Sequence, residues 1–502
     1  MKKYINYLFL IITVIFSGCS LDEDIYSNQN VDDFYKSEDE AALALNGAYS
    51  QFWDGYIYKN GSYVQLGDWT TDLMTSTPNK NTWDLFAWTV SENYFDNLWE
   101  ASYTMINRCN EIIERVGNSD LTDAVKDYFI GQSEFLRALC YFNLVKDFGG
   151  VPLHITATKG LSDVNKARNT TDEVYTQIIA DLKDAYTRLS PFDATKHSEG
   201  YATNGAAKAL LAKVYLQQRD WADAATTAKE VMDMKVYDLY KDYSQIWDPD
   251  YKNGSEQIFS VQHNNGGDNS SNYGEHMAYF LCPKGYSLSD GTGIEFTLND
   301  DQAGNWEVDA DYFKNSPDTY RKWWSIRDRM PRYIITGAAT INWIEDTVKL
   351  QRVNIVKYYH PDYSTGYLQT GVNFTVLRYS DVLLTYAEAL NEANGPTQEA
   401  YDAINQVRER ARAVETTHEQ SASVYPDLSG LNQETFRKAV LDERAAEFIG
   451  EGERRNDLNR HDLFISTAEA QGVTGIKAGY VLYPIPQNEM NLNPLLEQNP
   501  DY

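Results

Sequence analysis

Cysteine is scarce in this chain: four residues in 502, at Cys19, Cys109, Cys140 and Cys282. No two of them stand at Cys-x-x-Cys spacing, which argues against a thiolate metal site. Positive charge is also in short supply. Forty-four Lys and Arg face 73 Asp and Glu, for a formal net charge of −29. A field of that sign repels nucleic acid, and that partner class is excluded. It bears less strongly on polyanionic ligands, because a local basic pocket can survive on an acidic protein. Long apolar runs are absent too. The stretch Tyr7 to Phe16 is ten residues long, against the ~20 that a membrane-spanning helix needs.

Catalytic signatures are missing as well. There is no H-E-x-x-H, no G-x-S-x-G and no phosphate-binding loop. "DPDYKNG" at 248–254 has the look of a calcium loop, but Lys252 stands where an oxygen ligand is wanted. So many acids bring carboxylate pairs together by chance, and none is singled out for glycoside hydrolysis. The reading is therefore no catalytic residues, no cofactor and no metal.

What is present begins at the N-terminus. Lys2 and Lys3 precede the apolar run, and Ser17-Gly18-Cys19 follows it. This is the pattern of a secretory signal, residues 1–18, that ends at a lipidated Cys19. Phe16 stands where an aliphatic residue is usual. Residues 19–36 read as the lipidated N-terminus and an acidic tether. The first helix is expected near Ser37, where acids crowd the first turn. The rest, 37–502, reads as a single domain. Its N-terminal helical part is 37–239, an irregular part 240–375, and a C-terminal helical part 376–502.

Residues 128–148 are apolar nearly all round, so that helix is expected to be buried on most sides. Cys109 and Cys140 fall in apolar helical stretches and read as core. Export permits a disulfide between them, though nothing demands one. A helix is expected over 170–189 with Thr170 or Thr171 as N-cap. Segments 206–231 and 380–407 share a pattern: Ala212, Tyr215 and Ala225 match Ala387, Leu390 and Ala400 in spacing. Small residues there let paired helices approach, as in tetratricopeptide repeats. The pairs are few and far apart, which predicts an interrupted superhelix. Between them, 240–375 is read as loop with short strands at "EQIFSVQH" and "VNIVKYY". The C-terminal "YVLYPIPQNEMNLNPLLEQNPDY" is read as extended.

Aromatics are the strongest chemical signal. Trp53, Trp69, Trp83, Trp88 and Trp99 form one group, and Trp306, Trp323, Trp324 and Trp343 another. Both are interleaved with Asn, Asp, Ser and Thr. A flat ring covers the C–H face of a sugar while short polar side chains bond its hydroxyls. Core packing is the commoner fate of any single Trp, and Trp88 and Trp99 are assigned to the core. The cluster "ERAAEFIGEGERRNDLNR" at 443–460 reads as an ion-pair network at a helix junction rather than an anion site.

Four segments together resemble the SusD/RagB family of Bacteroidetes outer-membrane lipoproteins: "EFLRALCYFNLVKDFGGVPL" at 134–153, "RYSDVLLTYAEALNE" at 378–392, the cluster at 443–460, and "YVLYPIPQNEMNLNP" at 480–494. The resemblance covers the mature chain, although Ala445 stands where many members carry a second arginine. It implies an all-α fold: an interrupted tetratricopeptide-like α-superhelix with a loop-rich irregular portion and a few short strands. It implies capture of an oligosaccharide at the cell surface and delivery to a partner TonB-dependent, SusC-like transporter, with the lipid anchor in the outer membrane. Family members bind glycan through the early loop and the central region. Here those regions hold Asp68, Trp69, Asn79, Asn81, Trp83, Tyr286, Trp306, Trp323, Trp324 and Trp343. The negative charge favours a neutral glycan. The alternatives are capture of peptides and a scaffold role for the transporter without a ligand.

Overall fold

Helix starts in this protein are set by side chains that answer the first free backbone N–H groups. In the computed structural model, Ser37 and Glu40 form a capping box at the start of Glu38–Tyr49. Thr170 and Glu173 do the same for Thr171–Arg188, and Asn432 with Thr435 for Gln433–Phe448. The structure describes residues 34–54, 57–58, 62–76, 83–160, 163–263, 287–289, 295–297, 306–336, 340–358, 371–412 and 420–502. Within these, 54, 76, 287–289, 295–297, 306, 330–336 and 340–352 are placed by backbone alone. Cys19 and Cys282 lie outside the described residues.

The protein is mostly helical. Asp123–Phe148 is its central rod, and every residue from Phe129 to Phe148 is buried. It ends at Gly149, whose φ of +73° suits a residue without a Cβ. Asn93–Gly117 packs on one side of the rod and Thr171–Arg188 on another. Asn204–Gln217 packs on Thr171–Arg188 and on its own partner, Trp221–Asp233. Trp221–Asp233 then packs directly on Tyr379–Asn394, which pairs with Gln398–Ala411. The superhelix thus continues across residues 234–378 as though they were absent. Ala212, Ala225, Ala387 and Ala400 are all buried at these helix contacts, as the repeat spacing predicts.

The inserted region leaves and returns at one place. Gln257–Val261 pairs antiparallel with Phe374–Arg378, which closes the insertion at its base. Inside it the strand content is larger than the sequence suggests. Ile326–Thr336 and Thr340–Ile355 form a long antiparallel hairpin. The longer strand has 16 residues against 11, and two bulges absorb the excess. Arg327 pairs with Asn354 and Arg329 with Lys349, so three extra residues sit between those pairs. An odd surplus breaks the two-residue period, and the period is the signal by which strands are read. The C-terminal segment also departs from an extended chain, because it contains the helix Gln487–Leu492. Among the described residues, no helix is long and apolar enough to cross a membrane.

Cys109 and Cys140 are buried as free thiols. The rod also buries Glu134. Burial first, and then repulsion from Asp184, push its carboxyl up to about 9, against relief from Arg188 at 3.4 Å. Glu134 ionises near 4.5 in the unfolded chain and near 9 in the folded one. Stability should therefore fall as pH rises between those values, since the unfolded state releases the proton first. Glu134→Gln is expected to flatten the decline of Tm between pH 5 and pH 8. Parallel Tm–pH curves for variant and wild type would refute this.

Candidate functional site

The site is built on "LGDWTTD", residues 66–72. Its helix, Ser62–Asp68, ends in a carboxylate that is fully buried. Asp68 accepts the N–H groups of Gly450 at 2.9 Å, Gly452 at 3.1 Å and Arg454 at 3.2 Å. Burial pushes its carboxyl up to about 7, against those three donors. Asp68 is thus a staple between the early segment and the loop before Arg454–Arg460, with no face open to a ligand. That corrects its reading as a ligand-binding residue.

The next side chains turn inward as well. Trp69 meets Trp83 edge-on at 5.9 Å and Tyr94 at 5.4 Å. Trp83 packs against Trp88 and Phe95, and it is 5% exposed. Its polar neighbours in sequence suggested a loop aromatic, but its neighbours in space are other rings. Trp83 therefore belongs to the core. Trp88 and Trp99 are buried, as assigned.

Beyond Asp72 the chain forms a short strand, Met74–Ser76, which pairs antiparallel with Trp306–Val308. Ser76 stands opposite Trp306 and Met74 opposite Val308. The Asp309 N–H donates to the Leu73 carbonyl at 2.9 Å, and the Asp309 side chain caps the helix Ala310–Asn315. The two tryptophan-bearing segments, far apart in sequence, thus meet edge to edge. The longer hairpin strand, which carries Trp343 opposite Tyr333, runs beside Trp306–Val308. Trp306 and Trp343 are placed by backbone only, and Asn79, Asn81 and Tyr286 lie outside the described residues. Trp323 and Trp324 are half-buried on the helix Thr319–Ser325. The Arg327 guanidinium lies 4.2 Å and 5.5 Å from their ring centroids, so each already has a cation against its ring.

Beneath the strand pair is a cavity of about 820 Å³. Its walls are the 69–75 segment, the helix Ala310–Asn315 with the turn after it, and the helix Gln433–Phe448. Half-buried Tyr312 gives it aromatic surface, with the nearly buried Trp69 and Phe86 behind, while Asp72, Asp84 and Asp311 give it acceptors. Arg454 holds Asp72 through a two-pronged pair, Nε to Oδ1 at 2.8 Å and Nη2 to Oδ2 at 2.6 Å. Apolar surface with a few fixed polar groups is the usual make-up of a small-molecule site. Sequence reasoning found Trp69 and missed Asp72, Phe86 and Tyr312. The partner of Asp72 is 382 residues away, so no local pattern marks it.

The 443–460 cluster is a buried ion-pair network, as its spacing implies. Arg444 bridges Asp381 and Asp457 at 2.8 Å each, and Arg460 holds Glu388 and Asp457. Glu447 receives Arg321, Arg378 and Arg410. Two family models match the chain: the SusD family over residues 238–502, and one described as "Starch-binding associating with outer membrane" over 20–216. The chain belongs to the SusD family. SusD-like protein P2 of Formosa agariphila is 27% identical over the full length of both chains. The starch-binding protein SusD of Bacteroides thetaiotaomicron is 25% identical, with 76% of this chain and 74% of that protein covered. The crystal structure of a SusD homolog from Bacteroides thetaiotaomicron superposes with a TM-score of 0.76 at 26% identity, covering 94% of this chain and 98% of that one. The segments that carry the SusD resemblance are scaffold: Arg378, Arg444, Arg460, Tyr483 and Ile485 are all buried.

Proposed function

We propose that this SusD-family protein is a glycan-binding lipoprotein of the cell surface. Anchored in the outer membrane through Cys19, it captures an oligosaccharide and delivers it to a TonB-dependent, SusC-like transporter. Its role is binding rather than catalysis. The observation that carries this reading is the Ser76–Trp306 pairing, which brings both tryptophan-bearing segments together beside a cavity whose wall includes Met74, Thr75 and Asp309. Trp69 lies in the cavity wall. The other candidate ligand residues are Asn79, Asn81, Tyr286, Trp306, Trp323, Trp324 and Trp343, which the sequence assigns to the early loop and the central region. The relative named for starch binding supports a carbohydrate ligand, and the acidic balance supports a neutral one.

Affinity electrophoresis of the full-length protein in detergent, against neutral and acidic polysaccharides, tests this. Retardation by a neutral polymer is expected. Trp306→Ala should then weaken binding by about tenfold or more, the scale of losing one well-packed aromatic contact. No retardation by any polymer would sink the reading. Copurification of the transporter with the protein tests the delivery step.

A further inference from the structure

We propose that Asp72 is the specificity-determining hydroxyl acceptor of this site. Arg454 would hold it ready to accept a hydroxyl of an uncharged sugar unit that enters the cavity. The inference rests on the glycan-binding reading above and deepens it to a residue and a ligand class.

The first argument is rigidity. Arg454 is 8% exposed and is fixed from three directions. Its Nη1 donates to the Leu441 carbonyl at 3.0 Å, its backbone N–H donates to Asp68, and its fork grips both oxygens of Asp72. A carboxylate held by both oxygens cannot turn away when a ligand arrives, so little ordering remains to be done on binding.

The second argument is capacity. An ionised carboxylate has about four acceptor positions. The fork uses one on each oxygen, which leaves one on each. The Asp72 side chain is 28% exposed, and it lines the cavity. The two positions left point to opposite sides of the carboxylate, so the one on the cavity side can accept a sugar hydroxyl. Charged acceptors also make stronger hydrogen bonds than neutral ones. Tyr312, half-buried in the same wall, supplies ring surface of the kind that a sugar's C–H groups require.

The third argument is charge. Asp309 and Asp311 also line the cavity. Of the basic groups there, Arg454 is committed to Asp72, Arg408 to Glu443 and Lys438 to Asp442. An anionic sugar would meet this surplus of carboxylates, whereas an uncharged one would not. The cavity volume is in the range that accepts a ligand of drug-like size, which here means a short stretch of glycan.

The test uses the full-length protein in detergent, with amylopectin, mannan, xylan and a β-1,3-glucan as neutral probes and polygalacturonate as the anionic one. Asp72→Asn keeps the shape and removes the charge. It should weaken binding of whichever neutral polymer retards the wild type by about tenfold or more. Ala439→Trp puts a large side chain into the cavity from the helix Gln433–Phe448, and it should weaken binding likewise. If the wild type is retarded and Asp72→Asn binds as it does, this inference is overturned and the glycan-binding reading stands. Stronger retardation by polygalacturonate than by every neutral polymer would also overturn it. Retardation by no polymer would remove the glycan-binding reading and this inference with it.

Discussion

Glu447→Ala is expected to lower the folding stability by about 3–5 kcal/mol, the range for removing one partner from a buried ion pair. Glu447 is fully buried and takes three guanidinium groups, from Arg321, Arg378 and Arg410. These belong to a balanced cluster. Among the described residues, Arg321, Lys357, Arg378, Arg408 and Arg410 are opposed by Glu256, Asp318, Glu443, Glu447 and Glu451, five of each sign. Removing one anion leaves a net positive charge with no water to solvate it. The cluster also joins the inserted region, through Glu256, Asp318, Arg321 and Lys357, to the helices that carry Arg408, Arg410 and Glu447. Its failure would therefore loosen the insertion from the superhelix. Burial alone would raise the Glu447 carboxyl, but the three guanidiniums overcome it and hold the group well below the usual carboxylate range. Its contribution is then present above the unfolded value of 4.5 and is lost as pH falls below it. Lys438→Ala, which breaks the exposed Lys438–Asp442 pair, should change stability by only a few tenths of a kcal/mol. Denaturant midpoints decide the matter. A Glu447→Ala variant within 1 kcal/mol of wild type would show that the cluster relaxes around the loss.

Features determined by neighbours in sequence were legible, and features determined by distant ones were not. Ser37 and Thr170 mark their helix starts because a cap and its N–H groups lie within three residues. The buried rod is legible because a helix without a polar face has nowhere else to go. The ion cluster at 443–460 announced itself by charge density, yet Arg321, Arg378 and Glu256, which complete it, come from other parts of the chain. Tryptophan content pointed to two regions that meet in the fold, where Ser76 pairs with Trp306. Which ring faces a ligand is a different question, and local composition does not answer it. Trp83 is flanked by Asn, Thr and Asp in sequence and by Trp69, Trp88 and Phe95 in space. Asp68 and Asp72 are a single turn apart in a polar segment, yet one is a buried staple and the other lines the cavity. Their partners, on the Gly450–Arg454 segment, decide the difference.

Gly67→Ala is expected to destabilise the protein by about 3 kcal/mol or more and to abolish ligand binding with it. A Cβ at Gly67 would lie 2.0 Å from the Gly452 carbonyl oxygen and 2.5 Å from its Cα. Both sides of this contact are backbone, so no side chain can rotate to relieve it. Gly452 cannot retreat easily, because it sits at φ +81° against the ring and carbonyl of Tyr63. Overpacking in a close-packed interior costs about 1–3 kcal/mol even where side chains can adjust. The chain must instead part here, and Asp68 would lose the N–H groups of Gly450 and Gly452 as it does. Trp69 and Asp72 follow directly in sequence, so the cavity wall moves with the staple. Gly47→Ala provides the contrast. Gly47 lies in the helix Glu38–Tyr49 with nothing within 4 Å of a new Cβ, and alanine there should stabilise by about 0.5–1 kcal/mol. Denaturant unfolding of both variants measures the difference, and amide exchange at Gly450 and Gly452 reports the staple itself. If Gly67→Ala keeps those amides as protected as the wild type does, the approach of the two backbones is not what holds the early segment to the C-terminal helices.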